Sequence, residues 1–332
     1  MNINILGSNC NYEHGTIQGN GWSTLISGLE SYGANLFFND TSLLTYDLII
    51  CFDHYKWMED IFDEVSVPKS RRILIIQEPE VVLPRMYKPQ TINLYGAVFA
   101  GSTNWARRLG VKSFEYPVDI SSSGYLGVSE RNIETAMIQS NKFSCIKGEQ
   151  YSLRRSVLAL AEKNHYAIEL YGEGWNRGYF NDLLNVSKYL KAIVSEVEYG
   201  NFSTPFKYLG AVYPNYFGRI ENKTNLLNSV KRNIVIENSS TYVSEKLFDS
   251  LRSGSVPFYV GPSLEKYGIP NFVAVLCKAD PKSILEQLTT TTVEQLSKIQ
   301  LAGINFLESD ECKKWSAQYQ VNRFLQCMKV YT

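Results

Sequence analysis

Residues 233–250 read NIVIENSSTYVSEKLFDS, and the chain continues LRSGSVPFYVGP to residue 262. The apolar run Asn233 to Glu237 predicts a strand that stops abruptly at two polar side chains, Glu237 and Asn238. A short polar loop leads to Ser244, placed to cap a helix over Val243 to Ser253. Val256 to Val260 then predicts a second strand, ending at Gly261-Pro262. Strand, helix, strand in this order is the unit of a parallel sheet. The helix start offers N–H groups and a positive dipole end, and Lys246 adds a full charge in its first turn. That pattern reads as an anion site, with a diphosphate as its natural guest and Glu245 beside it as an acceptor for hydroxyls. The plainer alternative is a capped helix whose Glu245 and Lys246 are merely solvated.

The same alternation extends outward. Ile3 to Gly7, Asn35 to Phe38, Tyr46 to Phe52, Arg72 to Gln77 and Ala97 to Ala100 read as strands, with an amphipathic helix over Trp22 to Tyr32. Past the linker-like Ile120-Ser121-Ser122-Ser123-Gly124, strands are expected at Met137 to Ile146 and Ala167 to Tyr171. Helices are expected at Ser152 to Asn164, Pro281 to Leu288 and Val293 to Ser309. The fold class is α/β, with two Rossmann-like halves joined near residues 125–140. Ligands are then expected in the crevice at the carboxyl ends of the strands. Glu78 follows the strand Ile73 to Ile76 and is expected to project there.

Composition removes several classes. Lys+Arg and Asp+Glu both number 33, which speaks against a nucleic-acid binder. There is no P-loop, no dinucleotide fingerprint, no His-Glu-x-x-His and no Asp-x-Asp metal–diphosphate clamp. The six Cys form no Cys-x-x-Cys pair and read as free thiols in a reducing compartment. No signal peptide and no integral membrane segment is legible, so a cytoplasmic protein is expected, with peripheral membrane association left open. The 22 Tyr suit sugar binding and core packing equally.

Ile236-Glu237-Asn238-Ser239, Tyr242-Val243-Ser244-Glu245-Lys246 and Val256-Pro257-Phe258-Tyr259-Val260-Gly261 resemble the signature of the α1,3/α1,4-fucosyltransferase family. Upstream echoes are Ile75-Ile76-Gln77-Glu78-Pro79-Glu80, Tyr151-Ser152-Leu153-Arg154-Arg155 and Leu170-Tyr171-Gly172-Glu173-Gly174-Trp175. The sequence departs at Ile236, where an aromatic is usual, and at Val230-Lys231-Arg232. The resemblance implies two Rossmann-like domains facing across a cleft, the GT-B arrangement. Residues 1–135 would form the acceptor side, 136–310 the GDP-sugar domain, and 311–332 a helical tail.

It also implies inverting transfer of L-fucose from GDP-fucose to an acceptor oligosaccharide, α1,3-linked, with no cofactor and no essential divalent metal. By the same resemblance Lys246 and Arg154 bind the phosphates, with Arg155 as rival to Arg154. Asn238, Ser239, Tyr242 and Ser244 contact the donor, and Glu245 its hydroxyls. Glu78 is the base, with Glu80 as rival. Gly19-Asn20-Gly21 and Trp22 would touch the acceptor or simply turn the chain; Trp175 would stack on a ring or pack on the sheet. The alternatives are a related transferase with another nucleotide sugar and a non-catalytic sugar-nucleotide-binding protein.

Overall fold

The computed structural model of the 332-residue chain describes residues 1–8, 10, 11, 16, 17, 23–42, 45–113, 115, 117–121, 125–144, 146–175, 213 and 215–328. The chain divides into two compact units, Met1–Ile120 with Lys313–Thr332, and Ser121–Cys312. The division falls at the Ser-rich patch, fifteen residues before the expected boundary at 135. The segment expected to be a separate tail belongs almost wholly to the first unit. Gly19-Asn20-Gly21 and Trp22 lie outside the described residues.

The first unit runs β1 (Asn2–Leu6), β2 (Cys10–Asn11), β3 (Thr16–Ile17), α1 (Ser23–Ser31), β4 (Asn35–Phe38), β5 (Leu48–Phe52), α2 (Trp57–Glu64), β6 (Arg72–Ile76), α3 (Pro89–Ile92), β7 (Ala97–Ala100), α4 (Thr103–Leu109) and β8 (Lys112–Ser113). Its main sheet has six parallel strands in the order β4-β1-β5-β6-β7-β8. β5 is buried at every position, and β6 at all but its first. Strands covered on both faces read as unbroken apolar runs, which is why LIICF and RILII were legible. The order reverses between β1 and β5, so these two strand ends form the topological switch point.

The second unit runs β9 (Ile133–Ile138), α5 (Tyr151–Lys163), β10 (Glu169–Tyr171), α6 (Lys223–Leu227), β11 (Val230–Ile236), α7 (Glu245–Arg252), β12 (Val256–Val260), β13 (Val275–Leu276), α8 (Pro281–Thr290) and α9 (Val293–Glu308). α10 (Asp310–Lys313) leads into α11 (Ala317–Met328). The sheet is parallel in the order β10-β9-β11-β12-β13, with its switch point between β9 and β11. β9 starts four residues earlier than expected and ends at Ile138, not Ile146. Buried Arg131 pins its start by donating to the carbonyls of Leu126, Leu227, Val230 and Ser253. Glu134 broke the apolar pattern there; its carboxylate pairs with Lys231 and Arg232 of β11.

α11 returns to the first unit. Its Val321, Phe324 and Leu325 join the core under β1, β5 and β6, and Phe324 meets Phe99 edge-on at 5.1 Å. α1 approaches it closely at Gly28, where an added Cβ would sit 2.8 Å from Leu325 Cδ1. Among the described residues no helix is long and apolar enough to cross a membrane. Phe324→Ala removes a ring that is 2% exposed, and is expected to cost about 3–5 kcal/mol. The urea midpoint of the first unit's unfolding transition checks this.

Candidate functional site

Where β11 ends, Glu237 is fully buried and Ser244 caps α7. The Glu237 carboxylate accepts from Ser244 N at 2.8 Å and from Ser244 Oγ at 2.6 Å. Lys246 Nζ donates to Ser244 Oγ at 3.0 Å and lies 3.5 Å from Glu237 Oε2. Ser244 Oγ also accepts from Lys246 N at 3.4 Å. The strand end and the helix start are therefore locked to each other. The expectation of open N–H groups at this helix start is not met at Ser244 or Lys246, whose amides are already bonded to side chains. What the turn presents instead is the charge of Lys246, held in one place. Glu237 carried no assigned role in the sequence reading, although it heads the motif.

Asn238, 8% exposed, is engaged on both sides: Oδ1 accepts from Arg154 at 2.8 Å and Nδ2 donates to Tyr242 Oη at 2.9 Å. Arg154, 2% exposed, also donates to the carbonyls of Ile236 at 2.8 Å and Ser140 at 3.2 Å, and covers the Tyr151 ring. Burial lowers its pKa. Arg155 donates to Asn141 and Lys142 and lies over Phe143. Ser239 Oγ pairs with Thr241 Oγ1 at 2.7 Å. Trp175 packs in the core and donates to the Gln139 carbonyl at 2.6 Å. Arg154, Asn238 and Tyr242, expected on the donor, thus form a buried brace that ties β9, β11 and the loop before α7 together.

A cavity of about 370 Å³ opens beside this brace. It is lined by residues 138–140 after β9, Gly172 and Glu173 after β10, Arg219, Ile220 and Lys223 around the start of α6, and Glu245 and Lys246 of α7. Its position at the carboxyl ends of the strands on either side of the switch point is where doubly wound sheets bind ligands, and its size suits a small molecule. Gly172 has φ +126°, and a Cβ there would press into the Gln139 carbonyl. Lys223 donates to Asp249 at 2.6 Å. Burial acts to lower the Lys223 ammonium pKa, but the Asp249 and Glu245 charges outweigh it and raise it. Burial acts to raise Glu245, but Lys246 and Lys223 outweigh it and hold the carboxyl below its usual value. Among the described residues, the Oε1 of Gln139, which is 5% exposed, has no hydrogen-bond partner. Of the expected residues, Glu245 and Lys246 line the cavity; Arg154, Asn238, Ser239, Tyr242 and Ser244 do not. Gln139, Arg219 and Lys223 were missed, since none sits in a recognisable motif.

In the first unit Glu78 is half-buried just past β6. Its amide, at 3.1 Å, and that of Gln77, at 2.7 Å, donate to one oxygen of Asp53, at the end of β5. The Glu78 carbonyl accepts from Tyr87 Oη at 2.9 Å. Asp53 is 4% exposed and has φ +59°, the left-handed region. Burial first, then the Glu78 charge, pushes its carboxyl up to about 7. Glu80, the rival of Glu78, is paired with Arg108 at 2.7 Å.

Two Rossmann-like parallel-sheet units define a GT-B type fold, and solved glycosyltransferases share it. The Anabaena protein HepE in complex with UDP and glucose aligns with a TM-score of 0.60 at 11% identity, over 99% of this chain and 100% of its own. An α-glucosyltransferase in complex with UDP gives 0.57 at 12%, over 99% and 100%. An α1,3-fucosyltransferase gives 0.50 at 11%, over 98% and 88%. No protein-family model and no curated protein matches the sequence.

Asp53 makes stability pH-dependent. Its folded pKa is raised, so its contribution is complete below the ordinary value of 3.8 and is lost progressively as pH rises to about 7. Three pH units correspond to a loss on the order of 4 kcal/mol. The first unit's thermal midpoint is expected to fall between about pH 4 and 7, and Asp53→Asn to flatten that slope. Calorimetric scans across this range check it.

Proposed function

We propose that this chain is a glycosyltransferase whose second unit binds a nucleotide sugar in the switch-point cavity. The observation that carries the reading is the lining itself. Lys246, Lys223 and Arg219 supply positive charge for a diphosphate, while Glu245 and the unpartnered Gln139 Oε1 supply acceptors for hydroxyls. Cationic side chains stabilise charge growing on a departing diphosphate. The motif over residues 236–261 narrows the donor to GDP-fucose and the reaction to α1,3-type inverting transfer. The acceptor hydroxyl attacks the anomeric carbon, the bond to the diphosphate oxygen breaks, and Glu78 takes the hydroxyl proton. No divalent metal is required in this reading.

The neighbours solved with UDP favour a second reading, in which the same cavity takes a UDP-sugar. Calorimetry with GDP and UDP separates the two. Under either reading Lys246→Met is expected to weaken the preferred nucleoside diphosphate about 10- to 100-fold, the worth of one charge-assisted contact. Equal affinity in wild type and variant would refute the assignment. Glu78→Gln is expected to lose about 100-fold or more in transfer rate while binding stays intact, and EDTA to leave the rate unchanged.

A further inference from the structure

The first unit contains a second acid that the reaction outlined above does not use. Asp53 directly follows β5, one of the two strands that flank the switch point, and Glu78 lies two residues past the end of the neighbouring strand β6. Asp53 is buried, its backbone is in the left-handed region, and one oxygen of its carboxyl receives two successive amides, those of Gln77 and Glu78. A carboxyl so placed costs several kcal/mol to bury unless it is compensated. Among the described residues the compensation comes from these two amides, one of them that of Glu78 itself.

We propose that Asp53 is the positioning residue of Glu78: it fixes the peptide from which that side chain springs. The proposal rests on the reading of Glu78 as the base. The other ionisable groups around the pair are Tyr55, just beyond Asp53 and bonded to Ser8, and Tyr87, whose hydroxyl holds the Glu78 carbonyl. Arg108 covers the Tyr87 ring and is paired with Glu80; His54 is engaged by Tyr95 and Glu59, the latter bound also to Lys56 and Arg85. Among the described residues no cation is among the groups that act on Asp53.

The test is kcat and KM for nucleoside diphosphate release from GDP-fucose and UDP-glucose in wild type, Asp53→Asn, Asp53→Ala and Glu78→Gln, joined to a carboxyl-carbon NMR titration of Asp53 in wild type and Glu78→Gln. Asn tolerates the left-handed backbone and keeps the acceptor oxygen, so Asp53→Asn removes the charge and little else. Asp53 is expected to titrate near 7 in wild type and lower in Glu78→Gln. Asp53→Ala, which also removes the acceptor, is expected to lose about 10- to 100-fold in kcat with KM unchanged, and Asp53→Asn to recover most of that loss. Unchanged kcat in Asp53→Ala, or a loss in Asp53→Asn as large as that in Asp53→Ala, overturns the proposal alone. Full turnover in Glu78→Gln overturns the base reading and this role with it, whatever the titrations show.

Discussion

A carboxylate sealed from solvent governs the second unit. Glu237 has no exposed surface, and a lone buried charge would cost several kcal/mol. Two short hydrogen bonds from Ser244 and the nearby Lys246 ammonium offset that cost. The same contacts hold the turn from β11 into α7 in one conformation and aim Lys246 at the cavity. Cavity geometry and charge burial are thus one constraint. Removing Glu237 would free Lys246 and open the Ser244 amide, changing the site without touching any residue that lines it.

The first unit solves a similar problem differently. Asp53, like Glu237, follows a strand at its sheet's switch point, and it too accepts from backbone amides. Glu237 has a cation 3.5 Å away, whereas among the described residues the groups acting on Asp53 include another carboxylate and no cation. Burial then dominates, and the Asp53 proton is held up to about pH 7. One strand-end carboxylate is stabilised as a charge and organises a cation; the other is destabilised as a charge and becomes titratable near neutrality.

This contrast explains what the sequence revealed and what it hid. Parallel strands buried on both faces leave apolar runs, so β5, β6, β11 and β12 could be read directly. β9 was displaced because Glu134 serves a cross-strand pair and breaks the run. Polar residues after a strand look alike in sequence whether they meet a ligand or fold back. Arg154, Asn238 and Tyr242 bond to one another and to the Ile236 carbonyl. Asp53 was invisible because its partners are main-chain amides more than twenty residues on. The C-terminal segment looked detached because the core it completes is formed by the first hundred residues.

The charge balance of the cavity narrows its guest. The lining carries Arg219, Lys223 and Lys246 against Glu173 and Glu245, and Glu173 is paired with Arg219 at 3.2 Å. A bare anion would satisfy the cations and leave Glu245 facing it with nothing to accept. A neutral sugar would do the reverse. A ligand that joins a doubly charged diphosphate to a hydroxyl-bearing ring meets both sets at once. Lys223 and Lys246 can accept it without surrendering Asp249 or Ser244, since each ammonium has three donors. Under the proposed function, the lining is therefore matched to a conjugate of phosphate and sugar, more than to either component alone.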